Sequence, residues 1–169
     1  MWAQQALDFV KAHGDWAPWV VFALAFGESI AVISLLIPAT FILVGLGALV
    51  EAGNIPLLPV WAGAVAGGVF GDALSYWIGL MLKERTHRVW PFRKYPEMLD
   101  RGERFFKRYG VWGVVIGRFF GPLRAVVPLV AGAFSMPTMI FMLANVTSAM
   151  AWAFLLLAPG AAAMRMLGW

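Results

Sequence analysis

The 169 residues allow one domain, and a hydrophobic fraction of 62% with mean hydropathy +0.78 excludes an ordinary soluble one, so an integral membrane protein is expected. The net charge of +4 does not describe a nucleic-acid-binding surface, because nine of the thirteen Lys and Arg fall between Lys83 and Arg108. Zero cysteines exclude disulfides, thiolate metal sites and cysteine nucleophiles. With His13 and His87 in no ligand pattern, neither a metal centre nor a cofactor is expected.

In chain order, Trp2, Ala6, Phe9 and Val10 recur at helical spacing among Gln4, Gln5, Asp8 and Lys11, which predicts a short helix lying in the membrane interface. No basic segment precedes it, so it does not read as a removed signal peptide. From Trp16 to Val50, Glu28 is the single ionisable residue of 35. A span needs about 20 residues, so two full crossings and a turn do not fit. A short or re-entrant path is expected, broken at Pro38, with non-helical backbone sheltered by protein or a water-filled cavity.

Glu51 to Pro56 reads as a turn, and Pro56 and Pro59 suit a new helix start. A span is predicted over about Leu57 to Leu82, with Gly63, Gly67, Gly68, Gly71 and Gly79 for close helix approach and Asp72 as its one acid. The basic loop is expected on the cytoplasmic side. Pro96 then opens a second amphipathic helix, reaching Tyr109, that sits on anionic lipid.

Val111 to Phe134 is long enough to span. It holds Arg118, Arg124, Gly121, Pro122 and Pro128, however, which favours a re-entrant hairpin with breaks at those glycine and proline positions. On an unbroken helix the two arginines would face about 240° apart. A break at Gly121 and Pro122 lets both heads converge. Pro137 to Pro159 is a clean span, followed by a tail with Arg165 and Trp169 at the interface.

The halves resemble each other. Gly47-Ala48-Leu49, Pro56 and Gly79 parallel Gly132-Ala133-Phe134, Pro137 and Gly160, with 23 residues from proline to glycine in both. Paired interrupted segments of this kind point to a transporter site near the midplane. The expected architecture is an all-α integral membrane protein of one domain, 1–169. It has two re-entrant helical hairpins plus transmembrane helices in a pseudo-inverted repeat, with amphipathic interfacial helices. The first half covers 16–82, the loop and amphipathic helix 83–110, and the second half 111–160.

At membrane depth the ionisable residues are Glu28, Asp72, Arg118 and Arg124. A buried Arg costs about 2.5–3.5 kcal/mol on insertion scales. Three readings stand: structural ion pairs, since buried charges must be paired; a phosphate receptor built from two forked, permanently charged donors; and a proton site at Glu28 or Asp72, since burial disfavours the ionised carboxyl. There is no Walker A motif, Rossmann fingerprint or nucleophile elbow, and Ser34, Ser75 and Ser148 have no nearby His, so no enzyme is expected. The tryptophans read as interface belt or packing residues.

Four stretches resemble the DedA family, whose core is also called the SNARE-associated or VTT domain. They are Gly27-Glu28-Ser29; Ile37-Pro38-Ala39-Thr40 with Gly47; Gly71-Asp72 with Tyr76 and Gly79; and Arg118-Phe119 with Arg124, Pro128 and Ala131-Gly132. The resemblance implies opposed re-entrant hairpins and movement of phospholipid-type substrates, such as undecaprenyl phosphate or a phospholipid, across the bacterial cytoplasmic membrane. It implies transport roles for Glu28, Asp72, Arg118 and Arg124, with Thr40 and Tyr76 at matching positions. Thr40 stands where many members carry a second acid on which proton coupling leans, and Gly121 stands where many carry proline. The expected function is a lipid translocase with membrane lipids as partners. The alternatives are a proton-coupled transporter of a small ion or solute, or a non-transporting scaffold. A homo-oligomer is left open.

Overall fold

The computed structural model describes residues 14–30, 39–52, 55–82, 104, 108–119 and 123–166. A 3₁₀ turn, Gly14–Trp16, leads into α1 (Ala17–Glu28), where Pro18 occupies the first turn and takes a position whose N–H would have no helical partner. Then follow α2 (Ala39–Ala52), α3 (Leu57–Leu82), α4 (Val111–Arg118), α5 (Leu123–Ala133) and α6 (Thr138–Met166). No strand occurs among the described residues. The two predicted interfacial helices, the basic loop, and Pro38, Gly121 and Pro122 lie outside the description, save for residues 104, 108 and 109 of the second helix.

The span predicted at Leu57 to Leu82 is α3. At about 1.5 Å per residue its 26 residues cover the roughly 30 Å of a bilayer's hydrocarbon. The most apolar window of α3 is only 33% buried within the protein. Leu58, Phe70, Trp77 and Met81 face outward, which a soluble core helix would not allow. The second span-length segment is Thr138–Ala163 of α6.

Two prolines behave differently from expectation. Pro128 was expected at a hairpin break but lies inside α5. In its second turn the missing donor leaves just the Arg124 carbonyl without its helical partner, and close packing of α5 on α3 holds the helix together. Pro159 was expected to end the last span, but α6 runs through it to Met166. There too a single ladder bond is forfeited, that to the Leu155 carbonyl.

The turn between α5 and α6 is tight. Ser135 takes the left-handed conformation (φ 54°), and the N–H groups of Phe134, Ser135 and Met136 bond to the carbonyls of Val130, Gly132 and Ala131. Gly110 (φ 50°) supplies the corresponding freedom ahead of α4.

The long helices run antiparallel. Trp61, Val69 and Tyr76 of α3 bond to Met150, Asn145 and Thr138 of α6 in turn. Each short helix then has one main support: α1 lies on α3, α4 on α6, α2 on α6 and α5 on α3. The two larger apolar cores among the described residues lie along these helices. Val21, Ala25, Leu43, Val50, Val60, Ala64, Trp152 and Leu157 fill one. Tyr76, Val114, Val127, Ala131, Phe141 and Ala144 fill the other, at the opposite ends of α3 and α6.

Candidate functional site

Between these cores, at mid-length of both long helices, the chain buries four charges. Arg118 and Arg124 are each 4% exposed, Asp72 3% and Glu28 7%. The local folding explains their meeting. Glu28 is the last residue of α1, Arg118 the last of α4, and Arg124 the second of α5, so three helix ends deliver charged side chains to the middle of α3 and α6. Because α4 stops at Arg118 and α5 starts at Leu123, the divergence of two arginines on one helix never arises.

The charges pair across helices. Arg118 donates through Nη2 to Asp72 Oδ2 and to Asn145 Oδ1, and the Asn145 amide donates onward to the Val69 carbonyl at 3.0 Å. This ties α4 to both spans. Arg124 Nη1 lies 3.0 Å from Glu28 Oε2, its Nη2 donates to Ser29 Oγ at 3.4 Å, and its guanidinium carbon stands 4.0 Å from the centre of the Trp152 ring. Cation–π contact of this kind is worth more when desolvated. The last turn of α4 also places Arg118 at a helix end that favours cations.

Room for the Arg118 head comes from Gly68, where an added Cβ would lie 3.1 Å from Nη1. Ser29 Oγ donates to the Gly68 carbonyl, and Ser75 Oγ donates to the Ser29 carbonyl, so the end of α1 is stitched to α3 beside the charges. Arg118 Nε and Nη1 and Arg124 Nε are buried with no hydrogen-bond partner among the described residues. Buried donors of that strength are costly unless something accepts from them.

The predicted set therefore divides. Glu28, Asp72, Arg118 and Arg124 come together, whereas Tyr76 turns away: its hydroxyl donates to the Met136 carbonyl and meets Thr138 Oγ1, and its ring stacks on Phe141 at 4.2 Å. Thr40 is in α2, its side chain outside the description. The residues missed in the sequence are Asn145, Trp152 and Ser29. Asn145 carried a signal, being the one side-chain amide in the last span. Ser29 stood in a quoted motif without a role, and nothing in sequence distinguishes Trp152 from the other tryptophans. No group of three or more His, Cys, Asp or Glu able to hold a metal occurs among the described residues.

A family model described as the VTT domain matches residues 37–162. The chain is 34% identical over 153 residues to inner membrane protein YabI of Escherichia coli (strain K12), an alignment covering 90% of this chain and 60% of YabI. It is 37% identical over 123 residues to uncharacterized membrane protein Rv2637 of Mycobacterium tuberculosis, covering 69% and 56%. To uncharacterized membrane protein BU139 of Buchnera aphidicola it is 29% identical over 141 residues, covering 83% and 55%. The chain thus spans little more than half the length of these relatives. No solved structure matches it.

Proposed function

The chain belongs to the VTT-domain family, the core of DedA proteins, and from that premise we propose that it is a lipid translocase taking a phosphate-bearing lipid across a bacterial inner membrane. The observation that carries the reading is the pair of buried guanidiniums at mid-length of two span-length helices, with N–H groups that have no hydrogen-bond partner among the described residues. Phosphate oxygens match those forked donors. The start of α5, where Arg124 stands, adds the partial positive charge of a helix N-terminus.

Glu28 is the placeholder in this reading, while Asp72 stays on Arg118. Both carboxylates neutralise the arginines while no substrate is bound, and an arriving phosphate displaces that of Glu28 from Arg124. Each half supplies a broken hairpin, α1 with α2 and α4 with α5, followed by a full span. The crossed packing supports an inverted repeat: the first limb of each hairpin rests on its own span and the second on the other half's. Gly47 abuts the Leu157 carbonyl and Gly132 abuts the Tyr76 carbonyl, and Leu157 and Tyr76 stand equally far beyond Pro137 and Pro56.

The test is transport of a labelled phosphate lipid in reconstituted vesicles. Arg124→Gln should abolish it while the protein still inserts and folds. A folded Arg124→Gln protein that moves lipid at the native rate would overturn the proposal, and transport that collapses with the proton gradient would favour a proton-coupled carrier instead.

A further inference from the structure

The seams between the helices are unequal. Along α1–α3, Gly63, Gly67 and Gly71 lie so close to the backbone of Pro18, Phe22 and Phe26 that no Cβ would fit. Along α3–α5, Gly79 and Gly132 press on the carbonyls of Leu129 and Tyr76, and along α2–α6 Gly47 presses on that of Leu157. Backbones in such contact leave no passage for a ligand. The α4–α6 seam shows no such contact among the described residues and instead holds a groove of about 320 Å³. Its walls include Trp112, Val115, Phe119, Leu143, Thr147 and Ala151. That volume lies at the small end of sites that enclose a small ligand or a segment of one.

The groove is lined by residues next to those that hold the charges. Phe119 directly follows Arg118, and Ser148, also on its wall, lies between Asn145 and Trp152 along α6. Its outer rim is open, since Trp112 and Leu143 are both about two-thirds exposed. Resting on the phosphate reading of Arg118 and Arg124, we infer that this seam holds the hydrocarbon chain of the bound lipid. The head group reaches the arginines while the first stretch of its chain lies between α4 and α6, open to the surrounding bilayer. A mainly apolar wall that runs beside buried cations is complementary to an anionic amphiphile.

Because the chain has no cysteine, single-cysteine labels report position cleanly. Ala151→Cys places a bimane in the groove, and Phe154→Cys places one on the same helix facing lipid outside it. In phosphatidylcholine vesicles containing a few per cent of brominated hexadecyl phosphate, quenching at the first position is expected to exceed that at the second at least threefold. Adding Arg124→Gln should remove the difference. In a second measurement, Ala151→Trp should weaken hexadecyl phosphate binding at least fivefold and leave butyl phosphate binding within twofold. Equal quenching at both positions overturns the groove, whatever Arg124→Gln does. Preferential quenching at the groove that survives Arg124→Gln keeps the groove and overturns the arginine reading.

Discussion

Arg118 and Arg124 are equally buried, but their surroundings differ in kind. Arg118 is held by two oxygen acceptors on two long helices, and one of those acceptors is itself fixed to backbone. Arg124 is held by one carboxylate from the end of a short helix, a hydroxyl at the limit of hydrogen bonding, and the face of an indole. The first arrangement is a brace across α3, α4 and α6. In the second, one partner can leave while the ring stays, as a residue that exchanges a carboxylate for a phosphate requires. Equal burial and equal charge thus hide a difference in anchorage, and under the proposed function Arg124 is the arginine whose partner is exchanged.

The largest effect should come from breaking the brace. Asp72→Ala leaves Arg118 buried without its counter-charge, and removing one partner of a buried pair costs about 3–5 kcal/mol. Folded yield and the thermal midpoint in detergent should both fall sharply. Glu28→Gln should cost less than half as much in the same assay, because the amide still accepts from Arg124 and Trp152 still stacks on it. Equal losses would erase the distinction between the two arginines.

Next in size is Asn145→Leu, which keeps side-chain volume and removes the second acceptor of Arg118. A hydrogen bond to a charged group contributes about 1.5–3 kcal/mol, and the midpoint should drop accordingly. The matching change near the other arginine, Ser29→Ala, removes one hydroxyl with two long contacts, from Arg124 and to the Gly68 carbonyl, both at 3.4 Å, and should cost about 0.5–1.5 kcal/mol. Trp152→Leu loses the cation–π contact, about 0.5–2 kcal/mol, and also leaves a cavity in the core that Trp152 shares with Leu43 and Leu157. Its sharper signature is functional: Arg124 without its platform should bind hexadecyl phosphate several-fold more weakly.

How much of this could be read from the residues depends on whether a signal is local. The α3 span was legible because twenty-six residues carry one charge between a proline start and a basic loop. The four charges were legible because hydrocarbon makes each of them conspicuous. Their partners were not, since pairing Arg118 with Asp72 and Arg124 with Glu28, and not the reverse, depends on which helix crosses which. Pro128 and Pro159 misled for the opposite reason: a proline signals a break locally, but packing around a long apolar helix absorbs a single lost bond. Trp152 carries no local mark at all, because the charge it faces is contributed by a helix distant in sequence.

Tyr76 gives the smallest and most discriminating test of the comparison. It lies one turn beyond Asp72 on α3, yet its hydroxyl is committed to the Met136 carbonyl and Thr138 at the start of α6, and its ring to Phe141. Tyr76→Phe keeps the ring stack and removes the hydroxyl, for a cost of about 1 kcal/mol. The thermal midpoint should fall slightly while lipid transport per folded protein stays within twofold of native. A Tyr76→Phe protein of undiminished stability that transports ten times more slowly would place this hydroxyl on the substrate's path. It would also mean that the turn between α5 and α6 opens during the cycle, since the hydroxyl reaches the charged site only by releasing Met136.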